Sequence, residues 1–173
     1  MRLTQPTWTR GWPTAVVVGL ATLGPIGRQL PAPGTWGSAV GLLWVVGAFW
    51  WPQLGLGCTL ALCLATGYAA VAVCGEAELR LAKKDPGEVI LDEFVAMPLC
   101  FLGWPALVGP LPAWAVWLAG FALFRFFDIA KPLGVAWLQK FPGGWGVVID
   151  DTAAAVATCA TLHGGVQLWR AVA

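Results

Sequence analysis

Carboxylates set within long apolar runs constrain this chain more than any other feature of its sequence. The stretch 124–151 reads FRFFDIAKPLGVAWLQKFPGGWGVVIDD and places Asp128, Asp150 and Asp151 among aromatic and aliphatic side chains. An ionised carboxylate in such surroundings is costly unless it is paired, hydrated or bound to a metal. A function is therefore the better explanation for the presence of these residues.

The apolar runs themselves predict a membrane protein. Hydrophobic residues make up 58% of the 173 residues, charged residues make up 11%, and the mean hydropathy is +0.73. Soluble domains carry about 25% charged residues, so this chain has too little polar surface to cover a water-soluble globule. We expect a single membrane-embedded domain over 1–173. The net charge of +1 argues against a nucleic-acid partner, because the chain has no basic stripe to neutralise a row of phosphates.

The spacing of apolar runs and breakers predicts an all-α, polytopic helical bundle with about five transmembrane helices. These helices are expected at 36–51, 54–74, 86–104, 113–130 and 145–169. The run at 12–23 is too short to cross and predicts a re-entrant or interfacial helix, and 133–141 predicts a short amphipathic helix. We expect irregular structure at 24–34 and a charged loop at 76–88. Asp85 and Pro86 are typical of a helix start, and Pro98 should kink the third helix.

The distribution of basic residues predicts the orientation of the bundle. One set of loops contains Arg2, Arg10, Arg28, Arg80, Lys83, Lys84, Lys131 and Lys140, whereas the turns at Pro52 and Pro110 contain none and Arg170 alone lies on the other side. Positively charged loops face the cytoplasm. We therefore expect the basic side to be cytoplasmic.

This topology brings five acidic residues to one depth at the cytoplasmic side: Asp92, Glu93, Asp128, Asp150 and Asp151. Crowded carboxylates repel one another and either take up protons or recruit a cation. Mg²⁺ typically uses one or two carboxylates together with water and phosphate oxygens. We interpret all five as candidate catalytic residues and metal ligands, and each could be either a ligand or a base.

A phosphate-binding set is predicted beside these carboxylates. Arg125 and Lys131 flank Asp128 at spacings of three, so they can balance the charge of a phosphoryl group. Gly34, Thr35 and Ser38 open the first long helix and could add amide and hydroxyl donors. The sequence therefore predicts a magnesium site that accepts a phosphate.

Several of these features have simpler structural interpretations. Asp85 and Glu88 are more typical of helix caps than of ligands, and Gly37 with Gly41 has the GxxxG spacing of helix packing. Arg125, Asp128 and Lys131 alone could be an interfacial ion-pair set. The single histidine, His163, is expected to be structural, and the five cysteines lack zinc-site spacing.

The absence of other phosphatase signatures favours a metal-activated water. The sequence suggests no Cys-x5-Arg loop, no Asp-x-Asp-x-Thr stretch and no histidine at the predicted site. In-line attack by a metal-activated water on phosphorus needs no covalent enzyme intermediate.

Four sequence blocks resemble the phosphatidylglycerophosphatase A family in their order along the chain. They are LPAPGTWGS at 30–38, DPGEVILDEFVAMP at 85–98, FRFFDIAKP at 124–132 and GGWGVVIDD at 143–151. The resemblance implies a multi-pass enzyme of the bacterial cytoplasmic (inner) membrane that uses Mg²⁺ to hydrolyse phosphatidylglycerophosphate to phosphatidylglycerol and inorganic phosphate. The family pattern puts its acidic pair at Asp92 and Glu93, its D-x-x-K-P at 128–132 and its paired aspartates at Asp150 and Asp151.

Two other classes of protein compete with the enzyme hypothesis. A divalent-cation or proton transporter would also contain intramembrane carboxylates, but it should distribute them through the depth of the bilayer. A structural role as a membrane subunit would not explain the presence of Asp150 and Asp151. The sequence carries no signal for an oligomeric state.

Overall fold

The fold is all-helical across the part of the chain that the structure describes. A computed structural model describes residues 4–47, 55–108, 111–131, 137–138 and 140–172. The helices are α1 (Thr14–Ala21), α2 (Ile26–Gln29), α3 (Pro33–Gly47), α4 (Leu56–Leu81), α5 (Leu91–Ala96), a 3₁₀ helix (Met97–Phe101), α6 (Trp104–Leu107), α7 (Ala113–Ala130) and α8 (Gly144–Val172). No strand occurs within these ranges, which confirms the predicted class.

Three of these helices are long and apolar enough to cross a membrane. They are α4, α7 and α8, with 26, 18 and 29 residues. The predicted helix at 113–130 is confirmed with the same bounds, and the predicted helix at 145–169 lies within α8. The first predicted helix starts three residues earlier, at Pro33, and is described as far as Gly47. The count of five spans stays a prediction.

The third predicted helix is not continuous, so the expectation of one helix over 86–104 is wrong. Ile90 rather than Asp85 precedes the first helical residue, because the segment before it folds back on α1 and the Ile90 amide donates to the Ala21 carbonyl at 2.9 Å. The α-helix stops at Ala96, and the 3₁₀ helix that follows contains Pro98, which has no amide to donate. A left-handed Gly103 with φ of 71° then precedes α6.

Two predicted loops contain regular structure. The loop expected at 76–88 begins as helix, because α4 continues to Leu81 and Glu76 pairs with Arg80 one turn later at 2.9 Å. The segment 24–34, expected to be irregular, includes the single-turn α2 and the start of α3. The short helix at 12–23 is present as α1. The helix predicted at 133–141 lies largely outside the described residues and stays a prediction.

The interior of the bundle is built from close contacts between helices. Ala154 and Ala155 of α8 are buried, and their small side chains let α8 approach its neighbours closely. A Cβ atom added to Gly144 would lie 2.0 Å from the Val71 carbonyl oxygen, so only glycine fits where α8 begins beside α4. This packing carries Asp150 and Asp151 into the interior, where they are 5% and 4% exposed.

The N-terminal segment joins α4 to the start of α8. The Gln5 side chain donates to the Val71 carbonyl at 3.0 Å and accepts from the Gly144 amide at 2.9 Å. Arg80 donates to the carbonyls of Arg10 and Trp12 at 3.1 and 2.8 Å. These bonds fix the first turn of α8 relative to α4, and α8 carries two of the predicted site residues.

Candidate active site

Three carboxylates from two helices form an acidic cluster, defined here as Asp92, Glu93 and Asp151. Asp92 and Glu93 lie in the first turn of α5, and Asp151 lies in the second turn of α8. Each offers one oxygen atom, and these atoms all lie within 4.8 Å of one another. Asp92 Oδ1 and Glu93 Oε2 are buried without a hydrogen-bond partner among the described residues. Hard oxygen donors with free lone pairs suit a divalent cation such as Mg²⁺, so this donor set fits the predicted ion.

The other two predicted ligands, Asp128 and Asp150, are engaged in ion pairs. Arg125 Nη1 donates to Asp128 Oδ2 at 2.6 Å, and Lys131 Nζ donates to Asp150 Oδ2 at 2.5 Å. Asp150 Oδ1 is buried without a partner in the described part of the chain. The five carboxylates therefore form two groups. Three of them make up the acidic cluster, and the other two are paired with cations.

Arg125 links three helices at the edge of the acidic cluster. Its Nη1 atom also donates to Ser38 Oγ of α3 at 3.3 Å and lies 4.0 Å from Glu93 Oε1 of α5. Ser38 is fully buried, and its hydroxyl in turn donates to the Gly34 carbonyl at 2.8 Å. A single guanidinium thereby connects the start of α3, the start of α5 and the end of α7.

The first turn of α3 approaches the cluster closely because it carries glycine. A Cβ atom at Gly34 would lie 2.3 Å from Glu93 Oε1 and 3.4 Å from Arg125 Nη1. Thr35 is half-buried in the same turn, where its amide donates to the Ala32 carbonyl at 2.9 Å. Gly34 therefore makes room for the Glu93 carboxylate, a role that its sequence position did not suggest.

The GxxxG pair is a packing device. A Cβ at Gly37 would lie 2.9 Å from the Ile90 carbonyl oxygen, and one at Gly41 would lie 2.8 Å from the Phe94 carbonyl oxygen. Both glycines let α3 approach the chain around α5, which carries Asp92 and Glu93. The packing interpretation of this motif is confirmed.

Burial and neighbouring charges shift the pKa values of three groups that lie outside the three candidate spans, namely Asp92, Glu93 and Lys131. Burial, followed by the charges of Glu93 and Asp151, raises the pKa of Asp92 well above its ordinary value. Burial likewise raises the pKa of Glu93, although nearby Arg125 opposes the shift. Burial lowers the pKa of Lys131, but its hydrogen bond to Asp150 and the surrounding carboxylates outweigh that effect and raise it. The same burial and repulsion would be relieved by a bound cation, which would compete with protons for the carboxylates of the cluster.

The residues Cys74 and Arg80 do have a Cys-x5-Arg spacing, but they do not form a phosphatase loop. Both lie inside α4, where six residues correspond to a rise of about 9 Å. Cys74 is fully buried, and Arg80 is bound to Glu76 and to the N-terminal backbone. A thiol nucleophile with an adjacent arginine is therefore not available here.

One positioning residue, Gln5, was not predicted from the sequence. It lies 139 positions before Gly144, whose amide it binds, and it belongs to no recognisable motif. The contact arises only when α4 and α8 have packed, so no local pattern could have indicated it.

Comparisons with known proteins place the acidic cluster and the two paired cations within one family model. The model described as phosphatidylglycerophosphatase A matches residues 19–166. A Haemophilus influenzae protein named phosphatidylglycerophosphatase A is 35% identical over 143 residues, covering 80% of this chain and 81% of its own. The Escherichia coli protein of that name is 30% identical over 135 residues, covering 76% and 72%.

A further relative has a different name. A Bacteroides thetaiotaomicron protein, provisionally named a phosphatidylinositol-3-phosphatase, is 37% identical over 127 residues, covering 72% of this chain and 77% of its own. No solved structure matches the chain.

Proposed function

This chain belongs to the phosphatidylglycerophosphatase A family, and on that premise we propose that it hydrolyses the terminal phosphate of phosphatidylglycerophosphate. The products are phosphatidylglycerol and inorganic phosphate. The observation that carries the proposal is the acidic cluster, whose three carboxylate oxygens lie within 4.8 Å of one another beside the paired cations Arg125 and Lys131.

Asp92, Glu93 and Asp151 would hold Mg²⁺ through their carboxylate oxygens. When bound, this ion lowers the pKa of a coordinated water and withdraws charge from phosphate oxygens. The unpartnered oxygens Asp92 Oδ1 and Glu93 Oε2 support this assignment, because a buried carboxylate oxygen without a donor is costly.

The cations bind and orient the phosphate of the substrate. Asp128 holds Arg125 and Asp150 holds Lys131, so each cation is oriented before the lipid arrives. The hydroxyl of Ser38 limits the freedom of Arg125 further. Gly34, Thr35 and Ser38 lie near the start of α3, where backbone amides favour an anion.

The reaction forms a bond between the water oxygen and phosphorus as the bond between phosphorus and the glycerol oxygen breaks. Asp150 Oδ1 is buried and without a partner in the described structure, so it is the proposed acceptor of the proton that the water loses. The departing glycerol oxygen takes up a proton from solvent. No covalent enzyme intermediate is required.

We place the enzyme in the bacterial cytoplasmic membrane with this site facing the cytoplasm, on the basis of the basic loops. The transporter alternative is disfavoured because all nine acidic residues lie near one end of the bundle: at the end of α4, in 82–90, at the starts of α5 and α8, and at the end of α7. Cation or proton flux into proteoliposomes without phosphate release would reverse this preference.

Phosphate release from purified protein in detergent micelles tests the proposed function. Phosphatidylglycerophosphate should be hydrolysed with Mg²⁺ and left intact with excess chelator. Equal release in both conditions would remove the metal from the mechanism. Phosphatidylinositol 3-phosphate belongs in the same assay because of the Bacteroides relative; its faster hydrolysis would transfer the assignment to that lipid.

A further inference from the structure

An apolar groove lies between α4 and α8 and is distinct from the acidic cluster. We call it the α4–α8 groove. It has a volume of about 250 Å³ and is floored by α5 and the 3₁₀ helix. Its lining includes Cys63, Gly67, Tyr68, Leu99, Val148 and Thr152. A cavity of this kind between two membrane-spanning helices is a candidate ligand site.

The chemistry of the lining selects an apolar occupant. Almost all of the lining side chains are aliphatic or aromatic, and the Thr152 hydroxyl already donates to the Val148 carbonyl at 2.7 Å. The rings of Tyr68 and Trp145 are tilted by 60° at one end of the groove, with their centroids 6.3 Å apart, and Trp145 Nε1 donates to the Thr4 carbonyl. A headgroup or an ion would find few partners, whereas a hydrocarbon chain would gain van der Waals contacts.

The groove shares its helices with the acidic cluster. Thr152 follows Asp151 on α8, and Ala96 lies about one turn beyond Asp92 on α5. On α4 the groove runs from Val71 to Cys63, away from the charged residues that begin at Glu76. The groove therefore begins beside the carboxylates and extends into the uncharged part of the bundle.

The groove is open on its outer side. Leu64 and Tyr68 at its edge are 64% and 51% exposed, so an occupant could enter sideways. A Cβ atom added to Gly67 would meet nothing within 4 Å. The absence of a side chain at Gly67 thus leaves space on the surface of α4.

We propose that the α4–α8 groove binds an acyl chain of the lipid whose phosphate is hydrolysed at the acidic cluster, and that it sets the chain-length preference of the enzyme. The inference rests on the proposed function. An ordinary membrane lipid in the groove would contact the same side chains. The substrate has an advantage over such a lipid. Its phosphate is bound at the acidic cluster, so its acyl chain is held close to the groove.

Substitution of Gly67 by phenylalanine tests the groove. The new ring would fill the space above α4 without a clash at its Cβ atom. Gly57→Phe is the matched control, because Gly57 lies on the same helix, is exposed and also has open space around its Cβ position. Substrates with C6, C10, C14 and C18 chains, together with the deacylated headgroup, are compared in mixed micelles.

The proposal expects Gly67→Phe to lower kcat/KM for the C18 substrate by about tenfold while leaving the deacylated headgroup unchanged. Gly57→Phe should match the wild type on every substrate. The groove assignment would be overturned if Gly67→Phe and the wild type had the same dependence of kcat/KM on chain length. It would also be overturned if Gly67→Phe lowered kcat/KM equally for all substrates. A wild type that hydrolyses none of the substrates would instead overturn the proposed function, and the inference with it.

A binding measurement on the unsubstituted protein keeps the test independent of folding of the variants. A substrate analogue with a photoactivatable diazirine near the end of its acyl chain is cross-linked in micelles, and the modified peptides are mapped. Labels within 63–71 or 145–152, competed by C18 substrate but not by an uncharged diacylglycerol, are expected. Labels elsewhere, or equal competition by both lipids, would reject the proposal.

Discussion

Arg125 illustrates how a single residue organises charge inside an apolar bundle. Its side chain is 17% exposed, and its guanidinium reaches Asp128, Ser38 and Glu93 from one end of α7. A planar guanidinium remains charged when partly buried and can satisfy several acceptors at once. The arginine therefore joins residues that lie far apart in the sequence into one electrostatic unit.

Removing one carboxylate charge from the acidic cluster should abolish most activity. Asp151→Asn keeps the size of the side chain but removes the charge of a carboxylate that we propose as a metal ligand, so we expect phosphate release to fall by at least about 100-fold. Glu88→Gln is the matched control, because Glu88 lies outside the cluster. Full activity of Asp151→Asn, with a normal folded yield, would exclude this residue from the site.

Adding one methyl group at Gly34 should displace the Glu93 carboxylate. The Cβ atom of Gly34→Ala would lie 2.3 Å from Glu93 Oε1, and the flexible end of that side chain would have to move. We expect kcat to fall roughly 10- to 100-fold with little change in Tm. Gly19→Ala on α1, where the Cβ position is open, should retain activity. Unchanged kcat in Gly34→Ala would mean that the position of Glu93 does not limit the reaction.

At the scale of whole elements, the contact between α4 and α8 determines where two of the site aspartates lie. The Gln5 side chain and the absence of a Cβ at Gly144 both allow α8 to begin directly beside Val71. Asp150 and Asp151 follow within two turns of that contact. The register between these helices is therefore a condition for the site.

The substitution Gly144→Ala should disturb stability and activity together. Its Cβ atom would lie 2.0 Å from the Val71 carbonyl oxygen, and a backbone atom cannot rotate away. We expect a loss of roughly 1–3 kcal/mol in the free energy of unfolding, together with reduced turnover. Gly164→Ala, on the same helix with open space, is the control. Thermal unfolding in detergent measures both variants, and equal Tm values would contradict the close contact.

The α5 region shows a limit of prediction at this scale. Its apolar composition is typical of one spanning helix, but the 86–90 segment binds back to α1 and Pro98 leads into a 3₁₀ turn. The sequence predicts that a proline interrupts a helix. It does not predict the hydrogen bond from the Ile90 amide to the Ala21 carbonyl. The position of Asp92 and Glu93 at a helix start follows from that tertiary contact.

At the scale of the whole molecule, charged residues are separated from the apolar surface along the bundle. The acidic cluster, the ion pairs of Asp128 and Asp150, and the basic residues Arg80, Lys83 and Lys84 lie toward one end of α4, α7 and α8. The outer surface of α4 exposes Leu56, Leu60 and Leu64, as expected of a helix that faces lipid. The family and these apolar helices identify a membrane protein.

Labelling from opposite sides of the membrane tests the proposed orientation. In a cysteine-free background, Lys84→Cys should react with a membrane-impermeant maleimide only in inside-out vesicles. Gly55→Cys, which precedes the first residue of α4, should react only in intact spheroplasts. The reverse pattern would place the acidic cluster on the outer side, and phosphate release in each preparation verifies that the protein is intact.

The sequence alone determined the helical class, the extent of α7, most of α8 and the candidate residues, because hydropathy, proline positions and charge are local properties of a chain. Only the tertiary structure decided that Asp151 joins Asp92 and Glu93 while Asp128 and Asp150 pair with cations. The physical reason is rotation about the helix axes: neighbouring residues on a helix point about 100° apart, so Asp150 and Asp151 face different partners. Which partner each one meets depends on helix packing, and that packing is set by contacts such as Gly144 with Val71.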